Sequence, residues 1–592
     1  MSRRSSSPTV IEKPQDTKKT LRTLFTYVKD VKWFFVLAIV LTFVANGLQL
    51  LGPYLTGNVI DLISDTTQIN VWDRVVQLVG LMFIVYLVSS ILMYVLSSLM
   101  ITISQKIVVK MRQDLFNKFV DLSISYFDRH QIGDLLSRIS YDIDTINTSL
   151  SSDLVQLFGS FVVVIGAFVM MLWISLPLLS VFFITIPLSI LTTQYLTKRT
   201  RPLFRDRSRK LGDMNGFVEE TISGLKTIKA YSQQDSMYDD FKQKNKDASD
   251  AYYKADYYGS IVGPTVGFIN NISLTLISVF GSILFLFSFI TIGNISSFLL
   301  YSRKFSGPIS ESANMVAELQ STLAAAERVF RVLDEPIEKD IENPILLDKP
   351  VQGDIQFNQV NFGYYSDKPV LKDVNLNIKA GSLVAIVGPT GAGKTTLINL
   401  LMRFYAPNSG KIYVDGKDIS QLSTHDLRSS FSMVLQDSWL FHGSIYDNLI
   451  YGNEHASKED VIRIAKEVHI HNFIERSKYG YDTLISDDGV NLSKGQRQLI
   501  TIARAMLANK PMIILDEATS NVDTLTEKRI QSAMKKLMHD KTCFVIAHRL
   551  STIINADIIL VVHDGNIVEQ GTHQTLMSNK GHYYHLYMAQ FA

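Results

Sequence analysis

Cysteine is almost missing: the 592 residues hold one, Cys543, which excludes an internal disulfide framework. Its surroundings, Thr542 to Ile546, form an apolar run of strand length, so the thiol reads as a small buried filler. Charge is scarce as well. Lys, Arg, Asp and Glu make up 19% of the chain, where a soluble protein carries about a quarter, while apolar residues make up 47%. The net charge of +2 gives no general pull toward nucleic acid, and no such partner is expected. The length exceeds what one hydrophobic core supports, so at least two domains are expected.

The missing charge is missing locally. Residues 33–60 and 75–105 contain no Asp, Glu, Lys or Arg, and neither do the longer stretches 154–197 and 257–302. A membrane-spanning helix takes about 20 such residues, so the first two stretches fit one crossing each and the longer two fit a pair each. Each long stretch also has a breaker near its middle, Ser175-Leu176-Pro177 in one and Thr291-Ile292-Gly293-Asn294 in the other. Six crossings are expected. Helices buried in a large soluble protein are usually shorter and interrupted by charge, which these are not.

Lys and Arg collect after the second crossing, from Lys106 to Arg138, and more densely after the fourth, from Lys198 to Lys254. The opposite connections hold almost none, Arg74 excepted, so both termini and both basic segments are expected in the cytosol. Residues 1–20 are basic and polar with no apolar core, which reads as a cytosolic tail rather than a cleavable signal. Each basic segment is on the order of 50 residues, too long for a structureless loop. Ile107, Met111, Leu115, Phe119 and Leu122 fall at helical spacing. The spanning helices are therefore expected to run on past the bilayer, by roughly 37 Å if about 25 residues each are added. Asn46, Gln49, Asn270 and Asn271 are polar groups within the spans, suited to interhelical hydrogen bonds or to the wall of a cargo cavity.

Residues 336–350 are polar, contain three prolines and show no periodicity, as a linker would, between a membrane domain at 21–335 and a second domain at 351–592. In the second domain apolar runs of strand length, at 383–387, 412–414, 512–515, 544–546 and 558–562, alternate with helical stretches. That pattern predicts an α/β domain with a mainly parallel sheet. Gly388-Pro389-Thr390-Gly391-Ala392-Gly393-Lys394-Thr395 follows the first of these runs and opens a helix. It matches the phosphate-binding loop G-x-x-x-x-G-K-[ST]. Its glycines let backbone N–H groups turn toward phosphate oxygens, and the helix N-terminus adds a favourable dipole. Lys394 is expected to reach the β- and γ-phosphates of ATP, and Thr395 to hold Mg²⁺ through its hydroxyl. The run 512–515 ends in Asp516 and Glu517, whose side chains a strand would point to opposite faces, one toward Mg²⁺ and the other toward a water.

These motifs, in this order, resemble those of the ATP-binding-cassette transporters, and nearly the whole chain resembles an exporter-type half-transporter. The resemblance implies an all-α six-helix transmembrane domain joined to an α/β P-loop ATPase domain. It implies that Tyr364 stacks on adenine, with Tyr365 as the lesser candidate, and that Gly388, Thr390, Gly391, Ala392, Gly393, Lys394, Thr395 and Thr396 surround the phosphates. Gln436 and Asp516 would join Thr395 around Mg²⁺. Glu517 would be the general base and His548 a contact to the γ-phosphate. Ser493, Gly495 and Gln496 lie in the signature motif, which serves a nucleotide held by a partner chain, and residues 520–523 occupy the dimer-contact loop. Residues 126–138 and 220–231 resemble the two coupling regions, with 361–371 and the Gln436 segment as their receivers.

One position departs from the family. The signature is usually Leu-Ser-Gly-Gly-Gln, and here the third residue is Lys494. The preceding 485–489 also lacks the usual Gly-Glu pair, while Glu517 and His548 are present. Within the family this asymmetry marks one half of a heterodimer, and a homodimer that tolerates Lys494 is the alternative. The resemblance implies a second half-transporter, the lipid bilayer and a small amphipathic cargo as partners, in a bacterial plasma membrane. Lipid, drug and peptide exporters share these motifs, and an ATP-gated membrane regulator is the remaining reading.

Overall fold

The computed structural model describes residues 16–64, 71–338, 340–365, 367–435, 439–486, 491–516, 523–547 and 550–591. The chain divides into two units, one formed by residues 1–122 and 130–336 and the other by 123–129 and 337–592.

The first unit's regular structure is all helix among its described residues. Its helices are long: Val71–Asp121 runs for 51 residues with no proline inside it, and Phe182–Ser223 for 42 through Pro187 and Pro202. At 1.5 Å per residue the first of these measures about 77 Å, more than twice the apolar thickness of a bilayer. The expected continuation of the apolar stretches into longer helices is thus visible in the fold. Breaks occur where the sequence places breakers. Ser175 has an extended backbone and accepts a hydrogen bond from the Leu178 N–H, with Pro177 in the first turn of the next helix. Thr291 caps Ile292–Asp334 by accepting from the Asn294 N–H. Large apolar side chains such as Phe43, Phe83, Phe161 and Phe183 stand exposed around the bundle, the surface expected of helices that face lipid.

Among the described residues, five helical segments, 17–64, 71–121, 132–174, 176–223 and 234–286, are long and apolar enough to cross a membrane. The sixth expected crossing falls on Ile292–Asp334, which is 43 residues long but is not among the five. Its apolar run is short, ending at Arg303 and Lys304.

Within this unit Pro53 sits inside the helix Lys32–Ser64. Its neighbourhood is closed by hydroxyls from the last helix: Ser297 donates to the Pro53 carbonyl at 2.8 Å and Tyr301 to that of Leu50 at 2.5 Å. Further along, the Asp61 carboxylate accepts from the Thr291 hydroxyl and the Gly293 N–H, each at 2.7 Å.

The second unit is built on a six-stranded sheet. Its order is 566–571, 558–563, 383–387, 542–546, 512–516, 431–434, all parallel except the antiparallel edge pair 558–563 and 566–571. Both faces are buried, so the strands read as continuous apolar runs. Ile386, Ile514, Phe544 and Leu560 point into one core, and Ala385, Ile513, Val545 and Ile559 into the other. The run 412–414 instead belongs to Ser409–Val414, in a four-stranded sheet with Ile355–Phe362 and Leu371–Ile378. Those last two strands were not among the expected runs. They bury one face only and alternate with polar residues, as antiparallel strands do.

The polar segment read as a linker joins the second unit from Ile337 onward. Arg428 forms a bidentate pair with Glu338, the Ile345 N–H bonds the Gln421 carbonyl, and the Leu347 N–H bonds the Asp426 carboxylate. Periodicity is missing there because the segment is held by individual polar contacts rather than by an apolar face.

Candidate functional site

The strand Leu383–Val387 lies between two parallel neighbours and delivers residues 388–393 at its C-terminal end. Two glycines there have no substitute. Gly388 has φ +152°, and a Cβ on it would lie 2.2 Å from the Val562 carbonyl oxygen. Gly393 caps the helix Lys394–Leu401 with φ +109°, and a Cβ there would meet the Leu371 side chain at 2.9 Å. Between them Thr390 and Gly391 are exposed and Ala392 is buried.

Lys394 bends back over this loop and donates to the carbonyls of Gly388 at 2.7 Å and Pro389 at 3.0 Å. Burial pulls the ammonium pKa below its ordinary value, and the Asp516 carboxylate opposes that shift. The lysine is therefore held at the loop by two neutral carbonyls, partners that an anionic oxygen readily displaces. Thr395 is exposed, whereas Thr396 is buried with its hydroxyl 3.2 Å from the Tyr364 phenol oxygen. Asn399 donates to the same phenol at 3.3 Å. Tyr364 is 39% exposed and Tyr365 65%. The structure thus places Tyr364 beside the loop.

Asp516 ends the strand 512–516, paired with Ile546 of the neighbouring strand. Its influence on Lys394 places it within electrostatic reach of the loop. Glu517, His548, Gln436 and residues 520–522 lie outside the described residues. Asp523 is described: its carboxylate caps the helix Thr524–Met538 by accepting from the Thr526 N–H at 3.0 Å. That bond comes first among the causes holding its pKa below the usual carboxylate value.

Ser493 and Gln496 form a reciprocal cap at the start of the helix Lys494–Ala508. The Ser493 hydroxyl accepts from the Gln496 N–H at 3.2 Å, and the Gln496 side chain accepts from the Ser493 N–H at 2.8 Å. The S-x-x-Q spacing carries that capping signal in the sequence, unread beside the signature resemblance. Gly495 is buried and Lys494, first in the helix, is half-buried. Sequence reasoning also missed Arg504 on this helix. It donates to the Asn448 backbone at 2.9 Å and side chain at 3.0 Å, and lies 5.2 Å from the Tyr451 ring centre. Burial lowers its pKa. It ties the signature helix to Ile445–Ile450, a role that no motif marks.

The donor set suits Mg²⁺. Thr395 and Asp516 offer hard oxygen donors, and no group of three His, Cys, Asp or Glu forms a metal cage among the described residues. Hard oxygens are the donors that Mg²⁺ takes.

Comparison with known proteins accounts for both units. The ABC transporter transmembrane region matches residues 35–309, and the ABC transporter model matches residues 371–520. An uncharacterized ABC transporter ATP-binding protein, YfiC, of Bacillus subtilis is 40% identical over 98% of this chain and 95% of its own length. The fatty acid ABC transporter ATP-binding/permease protein of Mycobacterium bovis is 43% identical over 85% of this chain and 79% of its own. A bacterial Atm1-family ABC exporter solved with ATP bound has a TM-score of 0.77 at 26% identity, covering 95% of this chain and 99% of that one. The chain belongs to the ABC transporters, as an exporter-type half-transporter that carries its membrane region and its transport-coupled ATPase domain on one polypeptide.

Proposed function

We propose that this half-transporter is the catalytic-base-bearing member of a heterodimer. It moves hydrophobic or amphipathic compounds, drugs or lipids, out of the cytosol or inner leaflet of a bacterial plasma membrane. The observation that carries the partner claim is Lys494, a side chain at the third signature position. In the family this position is usually glycine, whose bare backbone packs against the nucleotide. The relative named for fatty acids supports an amphipathic cargo. Six crossings with both termini cytosolic fit the five apolar helices and the 43-residue sixth.

In this reading adenine stacks on Tyr364 and the phosphates lie on the loop amides of 388–393. Lys394 leaves its two carbonyls for the β- and γ-phosphate oxygens. Mg²⁺, when bound, neutralises developing phosphate charge, and Thr395, Gln436 and Asp516 would hold it. Glu517 orients the attacking water and His548 contacts the γ-phosphate. Each nucleotide contacts both chains and so favours their closed pairing, and hydrolysis removes that preference. The chemistry is positioning and electrostatics.

Transport into inside-out vesicles containing the chain and its partner tests the reading, with a fluorescent long-chain fatty acid and a cationic hydrophobic dye as probes. ATP-dependent accumulation of at least one probe is expected, and Lys394→Ala is expected to abolish it. Brisk ATP turnover with neither probe moved would overturn the cargo claim, and an ATP-gated current in the same vesicles would favour the regulator reading.

A further inference from the structure

Charge is absent from the apolar stretches of the membrane unit, and the helix Ile292–Asp334 breaks that rule early. From its Thr291 cap it reaches Arg303 and Lys304 after the uncharged residues 292–302, about 17 Å of rise and roughly half the apolar thickness of a bilayer. Its register against the helix Lys32–Ser64 is pinned at successive levels. Asp61 accepts from Thr291 and Gly293, Ser297 donates to the Pro53 carbonyl, and Tyr301 donates to that of Leu50. Continued for less than one turn, this antiparallel register sets Arg303 and Lys304 level with Gly47, the middle of the charge-free stretch 33–60. Two cations therefore stand at mid-depth.

The packed face of the helix is a different one. Ser297, Phe298, Tyr301, Ser302 and Phe305 are buried, whereas Arg303 is exposed, Lys304 is half-buried and Gly307 would place a Cβ in open space. At 3.6 residues per turn, Leu300, Arg303 and Gly307 share a line opposite the packed face. Among the described residues neither cation forms an ion pair or a hydrogen bond. Arg328, further along the same helix, is by contrast gripped by the Asp142 carboxylate. An unpaired charge at mid-bilayer is costly against lipid tails, so such residues face a bundle interior or a watery cavity and mark the path of an ionic ligand.

We propose that Arg303 and Lys304 form the specificity-determining contact for the headgroup of an anionic amphiphile. The inference rests on the export reading and narrows its cargo. Arg303 offers N–H groups in a planar fork that matches a carboxylate or a phosphate, and Lys304 adds a point charge one residue on. An uncharged or cationic cargo would leave both cations uncompensated in the path, so charge complementarity sets the sign of the ligand.

Binding to the full-length protein in phosphatidylcholine nanodiscs tests this. The probes are a fluorescent long-chain fatty acid, its methyl ester and a fluorescent lysophosphatidate, each corrected for uptake by empty nanodiscs. The free acid is expected to bind at least about tenfold more tightly than the ester. Arg303→Gln combined with Lys304→Gln is expected to erase that preference, and Arg303→Lys to keep part of it, because a point charge replaces the fork. Removing charge at mid-depth relieves a cost rather than creating one, and an unchanged Mg-ATP affinity checks that the variants are folded. Tighter binding of lysophosphatidate than of the acid would identify the headgroup as a phosphate and the reverse as a carboxylate, and both uphold an anion site. Equal binding of acid and ester, or a preference that survives the double variant, overturns the proposal. So does a loss of preference accompanied by a changed oligomeric state in light scattering, which would assign the two cations to contact between chains. Anion-selective binding without ATP-dependent transport in the vesicle assay would count against the export reading instead.

Discussion

Lys394 and Asp340 show how the same element of chemistry, a charge near a loop, is used in opposite ways. Among the described residues Lys394 is half-buried against two neutral carbonyls, with the Asp516 carboxylate supporting its charge, which leaves the ammonium available to an incoming anion. Asp340 is fully compensated. Burial alone would raise its pKa, but hydrogen bonds from Thr424 and Ser423, with the Arg403 charge, bring it below the usual carboxylate value. A carboxylate with a depressed folded pKa stabilises the fold above its unfolded pKa, and that contribution fades as pH falls through the lower folded value. Asp340→Asn should therefore lower the thermal midpoint at neutral pH. The gap to the parent protein should close below about pH 4 when both are melted across an acid series. A gap that stays constant down to pH 3 would mean that the Asp340 charge is not what holds the polar segment 337–350 in place.

At the scale of elements, legibility followed the number of buried faces. Strands buried on both sides, such as Met512–Asp516 and Thr542–Ile546, appear in the sequence as unbroken apolar runs and are read directly. Leu371–Ile378 exposes alternate residues and sits among Lys, Asp and Asn, so its signal is diluted by its wet face. The phosphate loop was readable because its glycines are demanded by backbone geometry, which leaves a fixed spacing. Tyr405 and Arg504 were not readable. Their partners, Asp128 and Asn448, are 277 and 56 residues away, and only the fold brings them together. The same holds for Asp142 and Arg328, separated by 186 residues. Arg328 grips the Asp142 carboxylate with two bonds, at 3.0 and 2.5 Å, and Asp142 is 4% exposed. Asp142 also lies in a π-helical turn, 138–142, where the backbone ladder is locally weakened. Arg328→Met should cost about 2–4 kcal/mol, because it leaves a buried carboxylate without its cation. Arg328→Met combined with Asp142→Leu should recover most of that loss in a denaturant or thermal melt, and equal loss in both variants would show that packing rather than charge is at stake.

For the whole molecule, the division into two units does not follow the chain at one point. Seven residues, 123–129, leave the helical unit in sequence and join the other in space. The length of the basic segments predicted that the long helices carry residues far beyond the bilayer. Within the second unit the surface beside 123–129 is formed by Phe362 and Tyr364 together with Arg403 to Ala406. Composition could not place that surface, because Arg403-Phe404-Tyr405-Ala406 looks like the ordinary end of a helix. The proposed pairing rests on a single side chain, Lys494, at the start of a well-capped helix.

The most direct measurement is ATP turnover by the purified chain alone in nanodiscs, as wild type, as Lys494→Gly and as Lys494→Gly with Glu517→Gln. The account predicts weak turnover from the wild type, a gain of about tenfold when the signature glycine is restored, and loss of that gain when the base is removed. Brisk wild-type turnover that Lys494→Gly leaves unchanged would contradict the requirement for a different partner, and no turnover from any of the three would contradict a competent catalytic site on this chain.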